Sequence, residues 1–193
     1  MNKRVNVIGA GLAGCEAAWT LAEMGIKVNL YEMKPHKKSP AHKSDLFAEL
    51  VCSNSLKANR VESAAGMLKE EMRRLGSICL LSADRSAVPA GGALAVERNE
   101  FASYITNKIK SHENIEVINS TVEKIDFEET TIVATGPLTD DALANNISQM
   151  LGSEYLSFYD AAAPIISGDS VDMSSAFFAS RYGKGEGDDY IKL

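Results

Sequence analysis

The stretch VNVIGAGLAGCEAAWTLAEMGIKVNLYE, residues 5–32, constrains the fold more than any other part of the chain. It places in a row an apolar strand, three glycines spaced G-x-G-x-x-G, a helix, a second strand and a terminal carboxylate. That order is the fingerprint of a dinucleotide-binding βαβ unit. Gly9 lets the chain turn sharply after the strand, Gly11 leaves bare backbone beside a pyrophosphate, and Gly14 lets the helix lie close on the sheet. With Ala10, Leu12 and Ala13 between them, they set the phosphate on the helix N-terminus. Unpaired N–H groups and the positive end of the helix dipole attract an anion there without a lysine. Glu32 closes the second strand, Lys27 to Tyr31, where its carboxylate accepts from ribose hydroxyls and repels a 2′-phosphate. Ala13, Ala17, Ala18 and Leu21 are the expected packing face of the helix.

The chain of 193 residues has room for one substantial domain, or for one domain plus an insertion. A net charge of −6 argues against a generic nucleic-acid-binding domain, which would carry a basic face. Positive charge is nonetheless concentrated locally: Lys34, Lys37, Lys38 and Lys43 surround His36 and His42 in a Pro-flanked loop. That loop is read equally as a solvated surface or as a phosphate contact. No run of eighteen apolar residues occurs and the N-terminus lacks a signal-peptide pattern, so a cytoplasmic protein without a membrane partner is expected. Cys15, Cys52 and Cys79 are far apart, odd in number and match no zinc spacing. Reduced thiols and no metal site follow.

Alternating strands and helices predict an α/β fold, a Rossmann-like dinucleotide-binding parallel sheet followed by the beginning of a second, inserted domain. Residues 1–153 are assigned to the dinucleotide-binding domain and 154–193 to the start of the second. Residues 33–60 form a loop excursion, longer than an ordinary connection and therefore read as functional. Val61, Ala65, Leu68, Met72 and Leu75 recur at helical spacing and are expected to face a core, with a helix ending near Gly76. A further helix spans Arg98 to Ser111. Short extended runs follow at Glu116 to Asn119, Thr121 to Asp126 and Thr131 to Ala134. Thr139 is placed to cap a last helix that runs through Leu143, Ile147 and Leu151 to Gly152.

TTIVATGPLT, residues 130–139, resembles the second signature of FAD-binding proteins, in which Thr135 and Gly136 let the backbone approach the cofactor. The region Glu116 to Lys124 resembles their adenine-side strand, with Val122 as a backbone contact. These two segments favour FAD over NAD as the tightly bound cofactor, so a Rossmann-like FAD-binding parallel sheet is expected, with residues 1–153 as the FAD-binding domain. FAELVCSNSLKAN at 47–59 and PAGGALAVERNEF at 89–101, with SVDM, AAAPI and SRYGKGE, resemble the folate- and FAD-dependent tRNA (uracil-5-)-methyltransferases. The likeness runs from about Val5 to Tyr190. It is weaker to the flavoproteins that modify the tRNA wobble uridine.

The resemblance implies one-carbon transfer from 5,10-methylenetetrahydrofolate to carbon 5 of a uridine in the tRNA T-loop, with FAD as cofactor and NAD(P)H as reductant. Uracil carbon 5 is a poor nucleophile, so this chemistry requires a thiolate. Cys52 matches the family's VCSNS cysteine near the flavin and is the catalytic candidate. Cys15 and Cys79 are read as packed. The family's main uracil-attacking cysteine has no counterpart here, and family members are longer. The chain is therefore expected to be an N-terminal portion, with most of the RNA surface beyond it. The same chemistry on ribosomal RNA, a flavin-dependent thiol oxidoreductase that does not touch RNA, and an inactive nucleotide-binding module are the competing readings.

Overall fold

The computed structural model describes residues 4–126, 128–152, 167–179 and 190–192. In chain order the elements are β1 (Arg4–Ile8), α1 (Leu12–Glu23), β2 (Lys27–Glu32), β3 (Ser55–Ala58), α2 (Ala64–Arg74), α3 (Ile78–Arg85), β4 (Ala87–Val88) and β5 (Ala93–Val96). There follow α4 (Arg98–Ser111), β6 (Ile115–Asn119), β7 (Thr131–Val133), α5 (Asp141–Leu151), β8 (Phe177–Ala179) and β9 (Tyr190–Lys192). The chain forms two compact units, one of Met1–Val51 with Ala102–Ala161 and one of Cys52–Phe101 with Ala162–Leu193. The boundary expected at 153/154 falls outside the described residues.

The first unit is built on a parallel sheet in the order β6-β2-β1-β7. Val5 pairs with Val28 and Val7 with Leu30, so these side chains share one face of the sheet. Val7, Val28 and Leu30 are fully buried there. α1 packs on this sheet through Gly14, Cys15, Ala18 and Ala22. Of the expected face only Ala18 is among them. The close approach at Gly14 fixes the rotation of the helix and turns Ala13 outward. The Thr121–Asp126 run is not a strand. Part of its backbone is satisfied from a helix instead, since Ile125 N donates to the Asn146 side chain of α5 at 3.0 Å. α5 itself is capped by Asp140, which accepts from Ala142 N at 3.2 Å, and not by Thr139. Thr139 Oγ1 instead donates to Gly136 O at 2.8 Å. Gly152 ends the helix at φ 62°, as its position predicts.

In the second unit β3, β5 and β4 form an antiparallel sheet with a register shift in β3, where Lys57 adopts φ 67°. α2 does not bury its apolar stripe: Leu68 is 56% and Leu75 84% exposed. Its buried positions are Gly66 and Lys69. A Cβ at Gly66 would lie 1.8 Å from Arg60 O, so the backbones touch along that side. Lys69 Nζ donates to Ala58 O and Ala65 O, both at 3.1 Å. Backbone contact at Gly66 thus overrides the hydrophobic period. α3 has no counterpart in the sequence reading. It buries Ile78, Cys79, Leu80, Ser82 and Ala83 on one face, but Ser82 is buried and Leu81 is exposed, so residue type does not mark that face. β8 and β9 pair with each other, antiparallel.

Candidate functional site

A cavity of about 250 Å³ opens at the carboxyl ends of β1, β2 and β7, all within the first unit. Gly9 through Ala13, Glu32, Val122, Thr135 and Gly136 line it, which brings together nine of the ten residues expected to hold a cofactor. The tenth, Gly14, lies beneath the wall and not on it.

The three glycines have different work to do. Gly9 sits at φ 98°, a conformation that favours glycine, and a Cβ there would meet Ala134 O at 2.8 Å. Its N–H donates to Tyr31 O at 2.8 Å, and Ala134 N donates to Ile8 O at 2.8 Å, so the turn is tied to the strand end and wedged against Ala134. A Cβ at Gly14 would lie 1.7 Å from Gly9 O. At Gly11 nothing approaches within 4 Å of the same position. The absence of protein around Gly11 leaves room that a pyrophosphate would fill. Gly11 is also the N-cap of α1, where no side chain caps the helix and no acidic residue occupies its first turn. An anion is the natural partner of that terminus.

Glu32 is buried, and its carboxylate is tied down: Oε2 accepts from Ala10 N at 2.8 Å and Oε1 from Lys34 N at 3.0 Å. Each oxygen keeps a lone pair for a ribose hydroxyl. On the opposite wall Gly136 has φ 69°, and the Thr135 and Thr139 hydroxyls hydrogen-bond at 2.6 Å, fixing the backbone that follows β7. The residues present therefore fit a dinucleotide such as FAD: an open anion site, a fixed ribose acceptor and a close-approach strand end.

The Pro-flanked loop contributes more to this cavity than its sequence shows. Lys34 is buried, donates to Leu46 O and lines the wall, so it is not a solvated loop charge. Lys37 instead pairs with Asp140, whose carboxyl it holds below the usual carboxylate range. Lys38 pairs with Asp45 at 2.8 Å. His42 and Glu49 also line the cavity. Sequence reasoning flagged this loop, but not which of its residues turn inward; Tyr31, Lys34, His42, Glu49 and Asp140 carry no motif.

Cys15 is sealed behind the glycine turn, its Sγ 3.4 Å from Ala10 O. Burial, reinforced by Glu32, pushes its thiol up to about 12. Cys79 is buried in α3, so both behave as packing residues. Cys52 belongs to the second unit and is half-buried. The segment after it is held by Ser55 N to Ser53 Oγ at 3.0 Å and by Asn54 Nδ2 to Val96 O at 3.1 Å. Among the described residues no group of acids, histidines and cysteines could hold a metal ion, and no helix is long and apolar enough to cross a membrane.

The sequence profile of the glucose inhibited division protein A family matches residues 4–193. The chain belongs to that family. Among its curated relatives, the methylenetetrahydrofolate--tRNA-(uracil-5-)-methyltransferase TrmFO of Acetivibrio thermocellus is 59% identical over 97% of this chain. The protein of the same name from Listeria monocytogenes serotype 4b is 60% identical over 96%. The chain spans 43% of the length of each. GidA of Aquifex aeolicus superposes with a TM-score of 0.56 at 17% identity, covering 70% of this chain and 25% of that one. That likeness establishes a shared fold for the GIDA-family chain.

Proposed function

We propose that this chain is the cofactor-binding part of a folate- and FAD-dependent tRNA (uracil-5-)-methyltransferase. The observation that carries the reading is the cavity itself. Its glycine turn leaves open space at Gly11 alone, beside a helix N-terminus that no side chain caps and a carboxylate fixed for a ribose. The name shared by relatives about 59% identical over nearly the whole chain supplies the chemistry and the substrate.

When bound, FAD would supply the electrons that convert a methylene group into a methyl group. The residues of this chain do the rest of what can be assigned to it. Gly11 and the first turn of α1 hold the pyrophosphate, Glu32 orients the adenosine ribose, and the backbone around Val122 receives the adenine. Thr135 and Gly136 bring the strand end against the diphosphate side. Cys52 is the candidate catalytic thiol, positioned by a loop whose polar residues are bonded to backbone. The uridine acceptor lies in the T-loop of tRNA.

The test is to add FAD to the purified chain, remove the excess and record the visible spectrum, then to assay the intact protein for methylation of T-loop uridine with methylenetetrahydrofolate and NAD(P)H. A retained flavin band and folate-dependent methylation are expected. Failure of the intact protein to keep flavin would overturn the reading.

A further inference from the structure

With Lys34 and Glu49, the loop after β2 brings to the cavity a histidine that neither the glycine fingerprint nor the VCSNS segment requires. His42 lines the cavity, and it is held there at two points. Its N–H donates to Ser39 O at 3.1 Å, and its Nδ1 shares a hydrogen bond of 2.6 Å with Ser39 Oγ. The rest of the loop is fixed around it. Glu49 accepts from Lys43 N at 3.0 Å and Ser44 N at 3.2 Å, and Lys34 donates to Leu46 O. Ala48 N donates to Ala10 O at 2.9 Å, which joins the loop directly to the glycine turn. Nδ1 is committed to Ser39. Among the described residues Nε2 has no hydrogen-bond partner, and no side-chain nitrogen is buried without one.

Resting on the FAD reading above, we propose that His42 is a binding residue for the dinucleotide, donating from Nε2 to an oxygen of its diphosphate while Ser39 sets the ring's orientation. The charged groups that face the ring are Lys34, Glu49 and Glu32. Burial and then Lys34 hold its pKa below the ordinary histidine value against the opposite pull of the two carboxylates. Without a bound anion the ring is thus neutral at pH 7. A diphosphate next to Nε2 favours the imidazolium, so binding takes up a proton and tightens as pH falls through the ring's titration range.

The experiment measures FAD dissociation constants by flavin fluorescence from pH 6 to 8 for the intact protein and for H42Q, H42L and S39A. Proton NMR of the ring with and without FAD accompanies it. H42L should bind FAD roughly 10- to 100-fold more weakly, as for a lost hydrogen bond to a charged group, and lose the pH dependence. H42Q, which keeps a donor, should recover most of the affinity at pH 8 but none of the pH slope. S39A should weaken binding by a few-fold. The His42 ring should titrate about one pH unit higher with FAD bound, equivalent to a tenfold change in affinity across the transition. H42L binding within twofold of the parent with an unchanged pH profile would overturn the assignment and leave the FAD reading intact. Absence of flavin binding by the parent protein would overturn both.

Discussion

Gly11 and Gly14 differ by three positions in sequence, yet alanine at each should fail in a different way. At Gly11 the backbone is extended, φ −73° and ψ −171°, which any residue adopts, and nothing lies within 4 Å of an added methyl group. Gly11→Ala should therefore fold as the parent does, within about 1 kcal/mol and with a small gain possible from a less flexible unfolded chain. The methyl group would occupy the space assigned to the pyrophosphate, and FAD affinity should fall at least 100-fold, roughly 2.7 kcal/mol. At Gly14 the methyl carbon would stand 1.7 Å from Gly9 O, more than 1 Å inside the closest approach real Cβ atoms make. No flexible side chain can yield there, so α1 must lift from the sheet and loosen Cys15, Ala18 and Ala22. The cost is about 3 kcal/mol, in the upper range of overpacking, or roughly a 6–12 °C drop in Tm for a chain of this size. Circular dichroism melts paired with flavin retention separate the two. Gly11→Ala melting as low as Gly14→Ala, or keeping the parent's flavin content, would refute the reasoning.

In the intact protein, Cys52→Ala should retain FAD and lose methyl transfer to background; full activity in a methylation assay would return Cys52 to a packing role. Cys15, with its thiol pushed up to about 12, should carry about one thiolate in ten thousand at pH 8 and resist iodoacetamide in the native protein. Peptide mass spectrometry after brief labelling checks this, and Cys15 modified as fast as Cys52 would contradict the burial argument. Glu32→Ala removes the acceptor of two buried N–H groups, and it should cost about 3 kcal/mol in a denaturant melt besides weakening FAD. A loss of affinity without any loss of stability would show that the carboxylate serves the ligand alone.

The βαβ core was legible because its signals are local and mutually consistent. The glycine turn, the apolar strands, α4 from Arg98 to Ser111 and the Gly152 stop each follow from residues a few positions apart. The α2 face was misread because an apolar stripe reports only a tendency. The backbone contact that Gly66 permits with Arg60 is a tertiary fact with no period, and it left Leu68 and Leu75 in solvent. α3 was missed for a different reason, since its buried face includes Ser82 and its exposed face includes Leu81, which blurs the amphipathic pattern. Thr139 lost the cap of α5 to Asp140 by one position, and the reason is visible only in three dimensions. Its hydroxyl is engaged with Gly136 and Thr135 on the cavity wall. The candidate site shows the same division. The glycine-turn residues that line the cavity were found, because glycine spacing encodes backbone geometry. Lys34 and His42 were seen only as members of a charged loop, because which side chain turns inward is decided by Leu46, Ser39 and Ala48.

Glu32 shows why these two kinds of residue belong to one device. A carboxylate kept solely to greet a ribose would be solvated until the ligand arrived, and binding would bear the cost of stripping and orienting it. Here one oxygen already holds the second residue of the glycine turn and the other holds Lys34, at the start of the loop that carries His42 inward. The loop returns to the same turn through Ala48 N and Ala10 O. Ala10 is therefore gripped from both sides, by Glu32 at its N–H and by the loop at its carbonyl. Turn, acid and loop close a ring of hydrogen bonds around the place where a phosphate would lie. Its donors and acceptors are positioned before any ligand enters, which is the arrangement that turns a modest number of polar contacts into tight binding.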